Sequence, residues 1–147
     1  MEHILEQAFG KKLPQSYLDF LASEDAIEVI VDEFDYEDKY ENRYWAILSQ
    51  TELLEELDMV NVGKARNFEC LKLYVQVFME FSTSESIDSN VGDISRSRVE
   101  KGFVFAEENG DYLYLDAEAN YSVWVYYHDG GDVKKVFTSF EELLIFQ

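Results

Sequence analysis

Gly102-Phe103-Val104-Phe105-Ala106-Glu107-Glu108-Asn109-Gly110-Asp111-Tyr112-Leu113-Tyr114-Leu115-Asp116 is the stretch that decides the fold of this chain. Two β-rich runs, 102–106 and 112–115, flank Asn109-Gly110. That pair best supplies the positive φ that a type I′ turn needs at both central positions, so the stretch predicts an antiparallel hairpin. Downstream, Tyr121 to His128 alternates aromatic and aliphatic residues and reads as the next strand. Asp129-Gly130-Gly131-Asp132 turns the chain, and Val133 to Phe137 pairs back. Ser139 followed by Glu142 is a capping-box pattern. It opens a helix whose Phe140, Leu143 and Leu144 face the sheet.

Upstream, the signals turn helical. Residues 3–9 read as a short amphipathic helix with Ile4, Leu5, Ala8 and Phe9 on one side, ended by Gly10 in the left-handed conformation. Pro14, the only proline, suits the first turn of a helix over 14–24, with Tyr17, Leu18, Leu21 and Phe20 towards the core. Residues 27–34 are β-rich, 35–43 are acidic and polar like an exposed hairpin end, and Arg43 to Leu48 reads as the returning strand. Ser49 with Glu52 caps a further helix, with Leu53, Leu54 and Leu57 as its apolar face. Residues 67–82 fit either a strand alternation or a helical stripe (Leu71, Tyr74, Val75, Phe78, Phe81), and their length favours the helix. Residues 82–100, rich in Ser, Asp and Asn, read as a long loop with room for one short helical turn. The class predicted is α+β: N-terminal helices, an antiparallel meander and a C-terminal helix, in a single domain over 1–147.

Composition sets the functional frame. In 147 residues, Lys and Arg number 12 against 31 Asp and Glu, for a formal charge of −19. A chain so acidic lacks the basic footprint that nucleic acid or an anionic membrane requires, but it attracts basic partners. Hydrophobic residues at 47% and aromatics at 16% support a packed core despite that charge. No apolar run is long enough to predict a transmembrane helix. The start, Met1-Glu2-His3-Ile4-Leu5-Glu6, has neither a basic nor an apolar signal region. The single cysteine, Cys70, rules out an internal disulfide, and the expected location is cytoplasmic.

The ordered set of motifs resembles the SUKH superfamily, which includes the Smi/Knr-type domains. Leu13-Pro14-Gln15-Ser16-Tyr17-Leu18-Asp19-Phe20-Leu21 is similar to the family's LP-x-x-Y-x-x-F-L helix. Trp45-Ala46-Ile47-Leu48-Ser49 with Glu52-Leu53-Leu54 follows, then the 102–116 hairpin. Val123-Trp124-Val125-Tyr126 with His128-Asp129, and Ser139-Phe140-Glu141-Glu142-Leu143-Leu144, complete the set. The resemblance implies the SUKH/Knr-like fold and an immunity role similar to that of Bacillus-type antitoxins of LXG polymorphic toxins. It implies a cytoplasmic, non-enzymatic protein without cofactor that neutralises a cognate toxin, often a nuclease.

Four features are candidates for function. The first is the acidic run Asp32, Glu33, Asp35, Tyr36, Glu37, Asp38, Tyr40 and Glu41, with Glu28 before it and Lys39 as its only base. It reads either as a partner-binding surface, with carboxylates for a basic cleft and tyrosines for contact area, or as a solvated loop. Oxygen-rich Asp129–Asp132 and Glu107–Asp111 lack calcium-loop spacing and are sufficiently explained as turns. One Cys with His3 and His128 makes a poor zinc set, so no metal is expected. Cys70 sits among Phe68, Leu71 and Leu73 and reads as a core thiol rather than a nucleophile paired with His128. No catalytic motif is present, and no catalytic residue is assigned. Finally, in the aromatic strand, Val123, Val125 and Tyr127 share one face, and Trp124, Tyr126 and His128 the other. One face packs on the helices; the other is a contact patch or, the favoured reading, cross-strand packing.

The function expected is therefore an immunity protein that occludes a toxin's basic nuclease domain. Free, it is expected to be a monomer or weak homodimer, without direct nucleic-acid or membrane binding. The alternatives are a non-enzymatic intracellular scaffold or regulatory protein-binding module, and, more remotely, a small carboxylate hydrolase.

Overall fold

The computed structural model describes residues 3–32 and 43–147. The chain opens with α1 (Ile4–Phe9) and α2 (Gln15–Leu21), followed by β1 (Glu28–Val31) and β2 (Arg43–Ile47). Next come α3 (Gln50–Leu54), β3 (Glu56–Met59), β4 (Gly63–Arg66), a 3-10 turn at Asn67–Glu69 and α4 (Leu71–Phe78). They are followed by β5 (Ser86–Ile87), β6 (Ile94–Ser95) and α5 (Arg96–Glu100). A run of strands then leads to the last helix: β7 (Phe103–Glu108), β8 (Asp111–Asp116), β9 (Ser122–Tyr126), β10 (Val133–Phe137) and α6 (Phe140–Phe146). The class is α+β, built on one antiparallel six-stranded sheet in the order β1-β2-β7-β8-β9-β10.

Local chemistry sets many of these boundaries. Ser49 accepts from the Glu52 N–H while the Glu52 carboxylate accepts from the Ser49 N–H, so two of the donors at the start of α3 are satisfied reciprocally. Ser139 accepts from the Glu142 N–H at the start of α6. Gly10 ends α1 at φ 81°, where a side chain would be strained. Asn109 and Gly110 both have positive φ, 48° and 84°, as the predicted hairpin requires.

The sheet is covered on both faces along β7, β8 and β9. On one face Phe103 stacks on Phe68 at 5.3 Å and meets Phe9 and Tyr17 edge-on at 5.2 and 5.7 Å. Tyr17 and Phe140 join Phe105 in the same aromatic layer. The helices α1, α2 and α6 are thereby clamped to the centre of the sheet. On the opposite face Tyr74 of α4 stacks on Tyr112 at 5.4 Å, and Tyr114 on Trp124 at 6.3 Å. Arg98 of α5 lies over the Trp124 ring and pairs with the buried Asp116 carboxylate at 2.6 Å. Gly102 allows this layer to close, since a Cβ there would lie 2.4 Å from the Tyr114 ring.

Several expectations change in detail. Residues 67–82 do hold a helix, α4, but Phe78 and Phe81 of the expected stripe are 51% and 96% exposed while Leu73 and Met79 are buried. The helix from Pro14 stops at Leu21. Leu57 lies on β3 rather than on α3, because Glu55 turns extended and starts the 56–66 hairpin. The expected loop 82–100 contains the short pair β5–β6 and α5.

Candidate functional site

Of the acidic run, Asp32 lies just beyond β1 and is exposed. Glu33, Asp35, Tyr36, Glu37, Asp38, Tyr40 and Glu41 lie outside the described residues. The strands on either side of that segment are paired, with Val31 opposite Arg43 at the end of β1 and β2.

Arg43 anchors this end of the sheet. Its guanidinium lies over the Trp45 ring at 4.3 Å. It pairs with the Glu108 carboxylate, donates to the Glu108 carbonyl at 3.2 Å and reaches Asp111 Oδ2 at 2.7 Å. Asp111 Oδ1 in turn accepts from the His128 backbone N–H at 2.9 Å and meets His128 Nδ1 at 2.6 Å. The imidazole lies against the β7–β8 turn, where a Cβ on Gly110 would sit 3.3 Å from Nδ1. Burial pulls the Asp111 carboxyl upward, but the bonds from the His128 N–H and from Arg43 outweigh it and hold the group below its usual range. Neither Arg43 nor this network was singled out from sequence, because it joins residues far apart in the chain.

His128 faces carboxylates through both ring nitrogens, Asp111 on one side and Asp129 Oδ1 at 3.0 Å on the other. A neutral imidazole donates through one nitrogen only, so this setting favours the cation. The hydrogen bond to Asp111 raises the His128 pKa above 6.5. The contribution of the pair to stability is therefore complete below about pH 6.5 and fades as pH rises through the raised folded value. The melting-temperature gap between the native chain and His128→Ala is expected to be largest on the acid side of neutrality and to narrow in mild alkali. Thermal unfolding at stepped pH checks this; a gap that widens with pH contradicts it.

Cys70 is a core thiol, as expected, with its pKa pushed up to about 12, mainly by burial. Such a thiol is a poor nucleophile at neutral pH. Trp124 and Tyr126 are 1% and 2% exposed, so the aromatic strand is sheet packing and not a contact patch. Among the described residues no three His, Cys, Asp or Glu side chains are grouped so as to hold a metal ion. Likewise, no helix among them is long and apolar enough to cross a membrane.

A family model described as the SMI1 / KNR4 family (SUKH-1) matches residues 3–145. Comparison with curated proteins gives no match, and comparison with solved structures gives none either. The residues that carry the resemblance are chiefly structural. Tyr17, Trp45, Phe103 and Trp124 are buried, while Ser49 and Ser139 cap helices. These motif residues thus serve the fold.

Proposed function

The chain belongs to the SMI1/KNR4 family (SUKH-1), and from that premise we propose that it is an immunity protein, a non-enzymatic antitoxin that binds a cognate toxin one-to-one. The observation that carries this reading is the family match across nearly the whole fold, in a family known for immunity proteins. The partner proposed is the basic nuclease domain of a polymorphic toxin, met in the cytoplasm and silenced by occlusion of its substrate cleft. A charge of −19 suits such a partner, since a nuclease must attract phosphate and an acidic surface competes for the same cations. The contact residues proposed are Asp32, Glu33, Asp35, Tyr36, Glu37, Asp38, Tyr40 and Glu41. Their carboxylates steer encounter, and the tyrosines serve as anchors, because rim charge sets the on-rate more than the affinity.

The test is co-expression with the C-terminal domain encoded by the neighbouring gene. Killing by that domain, relief of killing when this protein is present, and one-to-one co-purification are expected. Killing that persists in its presence, with no complex recovered, overturns the proposal in favour of a scaffold or regulatory module.

A further inference from the structure

The two edges of the six-stranded sheet are closed in the same way, by a side-chain carboxamide. On β10, Asn90 Nδ2 donates to the Lys135 carbonyl at 3.0 Å and Asn90 Oδ1 accepts from the Lys135 N–H at 2.8 Å. On β1, Gln147 Nε2 donates to the Ile30 carbonyl at 2.8 Å and Gln147 Oε1 accepts from the Ile30 N–H at 2.7 Å. Each carboxamide makes the pair of bonds that the N–H and C=O of one residue in a further antiparallel strand would make. A side chain filling that role marks an edge competent for strand addition but blocked.

The two edges differ in what else covers them. Beside β10, the Asp88 carbonyl accepts from the Val133 N–H, so the chain before β6 lies along that edge. On β1, the Ile47 N–H bonds to the Ile27 carbonyl. With the register Val29 opposite Trp45, the alternation of antiparallel pairs turns the N–H and C=O of Glu28 and Ile30 outward. Alongside them runs a groove of about 710 Å³ between α2, β1 and α6. Its floor is apolar, with Phe20, Val29 and Leu144, and its rim carries Asp19, Asp25 and Glu28. No lysine or arginine occurs between Lys12 and Lys39 or after Lys135. Among the described residues none of the three rim carboxylates is in an ion pair.

We propose that this groove is a docking site for an extended, lysine- or arginine-bearing segment of the partner, which adds to the β1 edge by displacing the Gln147 carboxamide from Ile30. The partner's backbone takes over the bonds to Ile30. Its apolar side chains alternate onto Phe20 and Leu144, and its cations meet Asp19, Asp25 and Glu28. Gln147 serves as a latch: it satisfies the edge in the free protein and leaves when a real strand arrives. The proposal rests on the immunity reading only for the partner's biological role.

The probe is a capped octapeptide of alternating lysine and valine, titrated into the isotope-labelled full chain at about 150 mM salt, where long-range charge is screened. The expected result is saturable shifts centred on the Ile30 amide and the Gln147 side-chain amide, absent with a glutamate–valine peptide. Gln147→Ala is expected to bind about three- to tenfold tighter, because the competing hydrogen bonds are gone. Asp19→Lys with Glu28→Lys is expected to bind at least about tenfold weaker. No saturable binding, shifts centred on residues 33–42 with Ile30 unmoved, or a Gln147→Ala chain that binds no tighter each overturns the proposal. The titration uses the chain alone, so its failure leaves the immunity reading standing, and failure of co-expression rescue leaves the groove standing.

Discussion

Replacing Asp35, Glu37 and Asp38 together by lysine is expected to abolish protection against the toxin while leaving the fold intact. Each reversal removes an attraction to a basic cleft and installs a repulsion, and juxtaposed like charges at an interface cost several kcal/mol. Three reversals are therefore expected to weaken the complex by at least about a thousandfold, a loss of roughly 4 kcal/mol or more. The native chain should also associate more slowly as salt rises, with the steepest fall where the Debye length drops below about 10 Å. The variant should lose that dependence. Survival under toxin co-expression, with association rates at stepped salt, checks both. A variant that protects fully moves the contact surface away from this segment, towards the α2–β1–α6 groove.

Phe103→Ala is expected to have the largest effect on stability. Phe103 is fully buried and touches the rings of Phe9, Tyr17 and Phe68. It is where α1, α2 and the turn before α4 all meet the sheet. Truncation removes the ring's transfer energy and leaves a cavity between rigid neighbours, a loss of about 3–5 kcal/mol. For a chain of this length that lowers the melting temperature by roughly 6–20 °C. Tyr17→Phe, in the same cluster, is expected to do the opposite. The Tyr17 hydroxyl is buried and has no hydrogen-bond partner among the described residues. Burial drives its pKa well above the ordinary range, the mark of a polar group kept from water without compensation. Removing it is expected to be neutral or to stabilise by about 1 kcal/mol. Urea unfolding of both variants checks the pair of predictions. A Phe103→Ala chain within about 1 kcal/mol of the native protein contradicts the first, and a clear loss in Tyr17→Phe contradicts the second.

Where a few neighbouring residues dictate the backbone, the fold was legible in the sequence. Gly10 as a stop, Ser49 with Glu52, Ser139 with Glu142, and Asn109-Gly110 act within one turn of chain, and each acts in the structure as its local chemistry predicts. The strands after Gly102 were legible for a related reason, since each is a β-rich run of five or six residues set off by turn residues. The segments that escaped were short. Neither the 56–66 hairpin nor β5–β6 carries a periodic signal, and β5 and β6 have two residues each. Leu57 fits the apolar face of α3 equally well until Glu55 turns the chain away. The aromatic strand could be assigned to a sheet but not to a burial state, because alternation separates two faces without saying what covers either. The structure covers both, with α4 lying over Tyr112 and α5 over Trp124, and Tyr126 buried beside them.

The candidate surfaces divide along the same line. An acidic, tyrosine-bearing segment between two strands is a statement about composition, and sequence alone determined it, together with the family and the α+β class. The Arg43–Asp111–His128 network, the Asn90 and Gln147 caps and the gathering of Asp19, Asp25 and Glu28 beside β1 were decided only by tertiary structure. A carboxamide on a polar, exposed residue carries no local signal. It acquires meaning only when folding brings it against a strand edge whose N–H and C=O would otherwise lack partners.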